Sequence, residues 1–212
     1  MECVICCWSG DFNNYGGRVQ CQCPKCLSLE RHRSAWYVVS DLLKKSNSGP
    51  LKILHVAPTK CLHDALSVLG DDYYPIDINP NNKYIRYVSD ITRLPFPDCS
   101  FDVVICLHTL DEVSDDFKAV SEMMRVVKSE GSIVVTSYVN DCQANTIEVD
   151  MHLSEEIRRK KYGSSSRRRI YGKDFVSRLS IHGLSVFTIP NASEEFAGRS
   201  DANEVVYLCI KW

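Results

Sequence analysis

Residues 89–137 read SDITRLPFPDCSFDVVICLHTLDEVSDDFKAVSEMMRVVKSEGSIVVTS, and this stretch decides the fold. Its run Phe101–Leu107 is almost entirely apolar, which is typical of a strand buried on both faces of a sheet. The apolar spacing over Ser114–Lys128 predicts a helix with Ser114 as its N-terminal cap. The run Gly131–Val139 predicts another buried strand. Strand, helix and strand in this order indicate a parallel β-α-β unit.

The same alternation continues on both sides of this unit. Further helices are predicted over 28–45, with Ser28 as the cap, and over 60–70 and 172–183. Further strands are predicted at Leu51–Ala57, Tyr73–Ile78, Tyr84–Ser89, Leu184–Ile189 and Glu204–Lys211. We therefore expect an α/β fold with a seven-stranded, mostly parallel sheet and helices on both faces. The last strand should be antiparallel, because no helix separates it from the strand before it.

The composition is that of an ordinary globular protein, with 212 residues, 44% apolar and 25% charged residues. No apolar run approaches the roughly 20 residues that span a bilayer, so we expect no membrane partner. The first residues lack the pattern of a secretory signal, so we expect a cytoplasmic protein, with a nuclear one also compatible. The chain divides into a cysteine-rich module at 1–27, a helix and linker at 28–50, and a main domain at 51–212. That domain carries a polar insertion at 140–170.

Six of the eleven cysteines fall in the first 26 residues, and four of them form two Cys-x-x-Cys pairs. The pairs are Cys3 with Cys6 and Cys23 with Cys26. Two such turns supply four thiolates for a tetrahedral zinc ion, and a site with four protein ligands is structural. A neighbouring cysteine, Cys7 or Cys21, is an alternative ligand. A redox-active pair is a further alternative, but it would leave the second motif without a role.

Acidic residues follow two successive predicted strands. Asp77 ends the second strand of the main domain, and Asp90 follows the third. In an open parallel sheet, ligands bind beyond the carboxyl ends of the strands. Asp77 is placed to accept hydrogen bonds from the hydroxyls of a ribose, and Asp90 from the exocyclic amine of an adenine. Each aspartate alone is equally well explained as a turn cap. Together they predict a nucleoside site.

The stretch 89–137 resembles the core of class I S-adenosylmethionine-dependent methyltransferases, which have a Rossmann-like fold. In that family a segment like LPF…SFD leads into the fourth strand, and segments like LHTLDEV and RVVKSEG follow it. The four cysteines followed by SLERHR and LHVAPTKCL are similar to a subgroup with an N-terminal zinc ribbon. The resemblance implies S-adenosylmethionine as cofactor. It implies these cofactor-binding residues: His55, Ala57, Pro58, Thr59, Asp77, Ile78, Asp90, Ile91 and Leu107.

One departure from the family pattern lies after the first strand of the main domain. The family has an acid and three glycines there, whereas this chain reads HVAPTKC from His55. Glycine lets the backbone approach a ligand closely. An inactive binding or scaffold protein is therefore an alternative to an active enzyme. A nicotinamide-dependent oxidoreductase is disfavoured, because no G-x-G-x-x-G follows that strand.

Several further residues are candidates for catalysis or for binding the other end of the cofactor. His108, Asp111 and Glu112 follow the fourth strand and are candidate general bases, with His108 and Asp111 predicted as catalytic. Arg31 and Arg33 on the first helix are candidates to bind the cofactor carboxylate, with a solvated helix face as the alternative.

The acceptor prediction depends on a basic segment. Residues 155–173 hold eight Lys and Arg against two acidic residues, although the whole chain has a net charge of −2. Such a segment favours RNA as the methyl acceptor. A small molecule, a protein substrate and a solvated lid are the alternatives. The predicted substrate contacts are Arg158, Arg159, Tyr162, Arg167, Arg168 and Arg169.

Overall fold

A seven-stranded sheet forms the centre of the molecule. The computed structural model describes residues 1–46, 49–180, 183–189 and 205–212. Its strands are β1 Asn13–Tyr15, β2 Arg18–Gln22, β3 Ile53–Val56, β4 Tyr73–Asp77, β5 Tyr87–Val88, β6 Phe101–Leu107, β7 Val127–Thr136, β8 Ile147–Glu148, β9 Arg169–Ile170, β10 Ser185–Ile189 and β11 Val206–Ile210. Its helices are α1 Glu30–Lys45, α2 Lys60–Leu66, α3 Asp116–Val126, α4 Glu155–Tyr162 and α5 Phe175–Ser180, with a 3-10 helix at Ser67–Asp72.

The strand order in the sheet is β10-β11-β7-β6-β3-β4-β5. Strands β3, β4, β5, β6 and β7 pair in parallel, while β11 runs antiparallel to both β7 and β10. The predicted fold class, including the antiparallel last strand, is confirmed. The order also makes β3 and β6 neighbours, so the chain switches direction across the sheet between β3 and β6.

Both faces of the sheet are buried. In β3, Ile53 packs on one face with Val38 and Val39 of α1, and Leu54 packs on the other face with residues of α3 and α5. All four β3 residues are buried, which explains the continuous apolar run in the sequence. None of the helices in the described part of the chain combines the length and apolar character needed to cross a bilayer.

Two predicted helix caps are wrong. Leu29 occupies the N-cap of α1, and its N–H donates to Nδ1 of His32 at 3.1 Å. Ser28 lies one residue earlier, where its hydroxyl contacts the thiols of the N-terminal module. Asp115, not Ser114, caps α3 by accepting from the Lys118 N–H at 2.9 Å. A carboxylate at this position also interacts favourably with the positive end of the helix.

Other boundaries shift by a few residues. β7 begins at Val127 rather than Gly131, with an irregular pairing before Ser132. The predicted helix over 60–70 becomes α2 followed by the 3-10 helix, and α5 covers only Phe175–Ser180 of the predicted 172–183. Residues 181 and 182 of that prediction, and residue 204 of the last predicted strand, lie outside the described residues.

The insertion at 140–170 folds and packs on the segment that follows β6. It contains α4 and the short antiparallel pair β8-β9. Arg169 is only 3% exposed and donates to three backbone oxygens of that segment, at 2.6 to 3.1 Å. These oxygens belong to Leu110, Val113 and Ser114. A single buried guanidinium thus satisfies three carbonyls that would otherwise be without a donor.

We expect Arg169→Ala to destabilise the protein by about 3–5 kcal/mol, because it removes a buried charge and leaves the three carbonyls unsatisfied. The control is Arg159→Ala on the exposed surface of α4, which should change the free energy of unfolding by less than about 0.5 kcal/mol. Urea unfolding of both variants measures the difference. Equal stability of the two variants would contradict the buried role of Arg169.

The stability of the fold should also depend on His55. This residue of β3 is 1% exposed, and its Nδ1 lies 2.8 Å from the Tyr73 hydroxyl. Burial lowers the pKa of His55 to about 3. Below a pH of about 6.5 the unfolded chain binds a proton on this histidine that the folded chain does not. The contribution of His55 to the free energy of unfolding is therefore fully present above that pH and is lost as the pH falls toward 3.

Between pH 6.5 and 5.5 this linkage amounts to about 1 kcal/mol. We expect the wild type to lose that much more stability than His55→Gln over this interval, measured by urea unfolding at the two pH values. An identical loss in both proteins would show that His55 is not held in its neutral form.

Candidate functional site

The carboxyl ends of the central strands open onto a cavity of about 780 Å³. Its walls come from the start of α1, from the segments after β3, β4, β5 and β6, and from the insertion. This volume lies within the range of sites that enclose a small ligand. The position is also the one where open parallel sheets bind ligands, at the point where strand order reverses.

Most of the predicted binding residues line this cavity. They are Arg31, Ala57, Thr59, Asp77, Ile78, Asp90, Ile91, Leu107 and the predicted catalytic His108. His55 and Pro58 do not line it. His55 points into the core toward Tyr73, because alternate residues of a strand face opposite sides and its neighbour Val56 faces the cavity. Pro58 is buried, and its carbonyl accepts from the Asn82 side chain at 3.2 Å.

Asp77 is held in a fixed orientation at the end of β4. Its Oδ1 accepts from the Asn79 N–H at 2.9 Å, and its Oδ2 accepts from Asn82 Nδ2 at 2.8 Å. The same Asn82 amide group binds the carbonyl of Pro58. One amide thus ties the segment after β3 to the segment after β4. The carboxylate keeps further lone pairs for a ligand, because each oxygen can accept two hydrogen bonds.

Asp90 has a similar turn geometry after β5. Its Oδ1 accepts from both the N–H and the hydroxyl of Thr92 at 2.8 Å. The hydroxyl of Ser89 beside it is buried and has no hydrogen-bond partner among the described residues. Ile91 is buried, whereas Ile78 is 67% exposed, although both line the cavity. An exposed isoleucine and an unpartnered hydroxyl in one cavity are features that a bound ligand would cover and satisfy.

The segment after β3 turns sharply although it contains no glycine. Ala57 adopts a left-handed conformation with φ of 49°, and its N–H donates to the Ile76 carbonyl at 2.8 Å. His108 takes the equivalent place after β6, with φ of 48° and its N–H on the Thr136 carbonyl at 2.8 Å. Non-glycine residues pay about 1 kcal/mol or more for this conformation. Both strained residues line the cavity.

The start of α1 contributes two residues to the same cavity, Arg31 and His32. Burial lowers the pKa of His32 well below its ordinary value, and nearby Arg31 acts in the same direction. The ring is therefore neutral. Because its Nδ1 accepts the Leu29 N–H, the ring proton lies on Nε2. His32 was not predicted as a site residue, and its position at the third residue of a helix gave no signal beyond capping.

Asp111 does not line the cavity, and the structure places it in a structural role. It is 3% exposed, its Oδ2 lies 2.9 Å from Arg167 Nε, and its Oδ1 accepts from the Ser137 hydroxyl at 3.5 Å. Its carboxylate is engaged by Arg167 and Ser137 inside the protein and does not face a ligand in the cavity. Glu112, the next residue, lines the cavity instead and accepts from the Ser166 hydroxyl.

The predicted substrate residues separate into two groups. Arg158 and Arg168 line the cavity. The other four do not. Arg167 and Arg169 bind groups inside the protein, and the Tyr162 carbonyl accepts a hydrogen bond from Arg167 at 2.8 Å. Arg159 is exposed away from the cavity. The cavity also contains residues that were not predicted. Three of them adjoin predicted residues, Asn79, Ser89 and Thr109, and four come from the insertion, Met151, Glu155, Ser165 and Ser166.

The four predicted cysteines come together at the N-terminus. The Sγ atoms of Cys3, Cys6, Cys23 and Cys26 all lie within 4.8 Å of one another. The Cys3–Cys26 and Cys6–Cys23 Sγ pairs are each 3.6 Å apart. The hydrogen bond between Cys3 and Cys26 lowers the pKa of the Cys3 thiol and raises the pKa of the Cys26 thiol, while burial raises both. A thiolate is the form of cysteine that binds metal ions.

The two cysteine turns have the same backbone structure. In the first, the Cys3 N–H donates to Trp8 and its carbonyl accepts from Cys7, both at 2.8 Å. In the second, the Cys23 N–H donates to Ser28 and its carbonyl accepts from Leu27, both at 2.9 Å. Cys7 and Leu27 have φ of 56° and 63°. Cys7 is exposed, and the Cys21 thiol donates to carbonyls at 3.5 and 3.8 Å, so neither belongs to the cluster.

The cysteine cluster is joined to α1 by a buried arginine. Arg33 is 1% exposed, and its guanidinium donates to the Ser28 carbonyl at 2.8 Å and to the Cys21 carbonyl at 3.0 Å. The Ser28 hydroxyl accepts from Cys26 Sγ at 3.2 Å and lies 3.4 Å from Cys3 Sγ. A hydrogen-bonded chain thus connects two thiols to the helix that supplies Arg31 and His32 to the cavity.

Part of the chain is similar in sequence to known methyltransferases. Residues 58–135 match the family described as a methyltransferase domain. Ajmaline N-methyltransferase of Rauvolfia serpentina is 33% identical over 78 residues, which is 37% of this chain and 26% of that protein. Three other curated relatives are matched over 18% to 23% of their length. The matched part therefore spans about a quarter or less of these relatives.

Solved structures match most of the chain. The 1,6-didemethyltoxoflavin-N1-methyltransferase of Burkholderia thailandensis, solved with S-adenosylhomocysteine, has a TM-score of 0.59 at 10% identity, covering 86% of this chain and 78% of that one. A protein solved in complex with the Trm112 methyltransferase activator of Haloferax volcanii has a TM-score of 0.54 at 14% identity, covering 83% of this chain and 89% of that one. This chain therefore has the Rossmann-like fold seen in solved class I methyltransferase structures, matches a methyltransferase domain family at residues 58–135, and has a four-cysteine cluster in front of the matched stretch.

Proposed function

We propose that this protein is an S-adenosylmethionine-dependent methyltransferase whose cofactor binds in the cavity at the carboxyl ends of β3, β4 and β6. The observation that carries the proposal is that Asp77 and Asp90, from neighbouring strand ends, open onto one cavity beside the matched methyltransferase sequence. Neither carboxylate forms an ion pair with a described residue. Both are therefore able to accept hydrogen bonds from a nucleoside.

The residues present fit the cofactor. Asp77 is placed to accept from the ribose hydroxyls and Asp90 from the adenine amine, with Ile78 and Ile91 against the faces of the base. The buried Ser89 hydroxyl, which has no described partner, gains one in such a complex. At the other end, the left-handed turn at Ala57 lets the backbone approach the ligand in place of the family's glycines. Thr59 and Leu107 line the cavity there, and the Arg31 guanidinium is the group to bind a carboxylate.

S-adenosylmethionine supplies an activated methyl group, and the protein has to align the acceptor and exclude water. The insertion excludes water by covering one side of the cavity. His108 lies at the end of β6 in that cavity and is the proposed group to receive an acceptor proton where one is released. Asp111 is not proposed as a catalytic base, because Arg167 engages it.

The acceptor that we propose first is a small molecule. The basic segment favours RNA in the sequence, but Arg167 and Arg169 bind internal groups, which leaves fewer cations for a nucleic-acid backbone. The cavity is also walled by the insertion. RNA is the second candidate.

We expect the wild type to bind S-adenosylhomocysteine and Asp77→Asn to bind it about 10- to 100-fold more weakly, because a hydrogen bond to a charged acceptor contributes about 1.5–3 kcal/mol. Asp90→Asn should weaken binding in the same direction. Isothermal titration calorimetry measures both. Asp98→Asn is the matched control, since Asp98 is 75% exposed and pairs with Arg125 away from the cavity. No binding to the wild type, or undiminished binding to Asp77→Asn, would overturn the proposal.

We also propose that the four cysteines bind one structural Zn²⁺. A zinc–sulfur distance of about 2.3 Å in a tetrahedron places sulfur atoms about 3.8 Å apart. The two 3.6 Å sulfur pairs and the repeated turn geometry support this assignment. Four protein ligands leave no open position, so the ion would stabilise the fold rather than take part in the reaction.

The metal assignment predicts different outcomes for two adjacent cysteines. Cys6→Ser should lose bound zinc and lower the thermal unfolding midpoint, because it removes a ligand. Cys7→Ser should keep one zinc per chain with an unchanged midpoint, because Cys7 is exposed outside the cluster. Elemental analysis of the purified proteins counts the metal. Equal loss of zinc from both variants would show that the ligand assignment is wrong.

A further inference from the structure

We propose that the methyl acceptor is a small molecule with a carboxylate or phosphate group, and that the Arg168 guanidinium binds this group. The inference rests on the proposed methyltransferase function and adds the chemical class of the acceptor. The reasons lie in how the insertion holds the three consecutive arginines.

The two neighbours of Arg168 are engaged inside the protein. Arg167 Nε lies 2.9 Å from Asp111 Oδ2, and its Nη1 donates to the Tyr162 carbonyl at 2.8 Å. Arg169 is buried, and its Nη1 donates to the Leu110 carbonyl at 2.8 Å. Both side chains therefore fix the insertion against the segment after β6. They are not available to an external anion.

The backbone at Arg168 is fixed as well. Its N–H donates to the Asp111 carbonyl at 2.7 Å, and its carbonyl accepts from the Val149 N–H at 2.7 Å. In extended chain, successive side chains point to opposite sides. With Arg167 and Arg169 directed into the protein, the Arg168 side chain is directed into the cavity, which it lines. A guanidinium on a fixed backbone is pre-organised for a ligand.

The Arg168 guanidinium has no acceptor within hydrogen-bond distance among the described residues. The other arginines of the insertion all have one. Arg158, which also lines the cavity, donates to three carbonyls at 3.0 to 3.1 Å, and Arg159 donates to the Ser165 hydroxyl at 3.3 Å. A cation in a partly enclosed cavity is stabilised by an anionic partner. The planar guanidinium matches a carboxylate or phosphate with two parallel hydrogen bonds.

The position of Arg168 assigns it to the acceptor rather than to the nucleoside. Its backbone is bonded to the segment after β6, whereas Asp77 and Asp90 lie after β4 and β5. The strand order places β3 between β6 and β4, so the two groups lie at opposite ends of the cavity. With the nucleoside at the β4–β5 end and the rest of the cofactor beside Ala57, Thr59 and Leu107, the space beside His108 and Arg168 is left for the acceptor.

The test starts from protein that is saturated with S-adenosylhomocysteine. Inorganic phosphate is then titrated in as the probe, and calorimetry measures its affinity. We expect the wild type to bind phosphate and Arg168→Gln to bind it at least about tenfold more weakly, in line with the loss of one charge-assisted contact. Arg168→Lys should recover part of the affinity, because it restores the charge but not the paired geometry. Arg159→Gln is the matched control and should bind phosphate as the wild type does.

Binding of S-adenosylhomocysteine is measured first in every variant and separates the two proposals. It should be unchanged in Arg168→Gln. If the wild type fails to bind it, the proposed function fails. If it binds but phosphate does not, or if Arg168→Gln binds phosphate as well as the wild type, the anion site is wrong while the function stands. A large loss of S-adenosylhomocysteine affinity in Arg168→Gln would place this arginine in the cofactor site and also overturn the inference.

A short single-stranded RNA tests the source of the anion. We expect it to bind no more tightly than phosphate. Tight binding with a steep salt dependence, competing with phosphate, would overturn the small-molecule assignment in favour of RNA.

Discussion

The parallel pairing of β3 with both β4 and β6 is the constraint on which the site depends. Val56 pairs with Ile76 on one side and with Cys106 on the other, so three strands end at one level. Their carboxyl ends must then share one edge, and the turns that follow them form the cavity walls. Ala57 and His108 accept left-handed conformations at this edge. Such strain persists only where the surrounding structure fixes it, which the buried core on both faces does.

The cysteine-rich module packs against two of the helices that border this site. Its cysteines pack with Cys61 and Leu62 of α2, the helix that begins directly after the segment at Ala57. Through Ser28 and Arg33 it is also bonded to α1. In the proposed holo-protein, the positively charged Arg33 lies near a zinc–thiolate cluster that carries net negative charge. The cysteine cluster, the position of α1 and the shape of the cavity are therefore physically connected.

Sequence reasoning identified what depends on local patterns. The apolar run at Phe101–Leu107 matched a strand residue for residue, and the two Cys-x-x-Cys pairs matched the observed cluster. Contacts between residues far apart in the chain were not predicted. Nothing near Asp111 in the chain indicates Arg167, 56 residues later, which makes it a structural residue. Likewise, basic character alone does not separate the buried Arg169 from the cavity-lining Arg168, because only the packing of the insertion distinguishes them.

Hydrogen exchange with and without saturating S-adenosylhomocysteine tests the central claim most directly, because it reports on the backbone of every strand end at once. We expect slower exchange on ligand binding in four separate segments: at Ala57, at residues 77–79, at residues 89–91 and at residues 107–109. Unchanged exchange in these segments, or protection confined to another part of the molecule, would contradict a cofactor site at the shared edge of β3, β4 and β6.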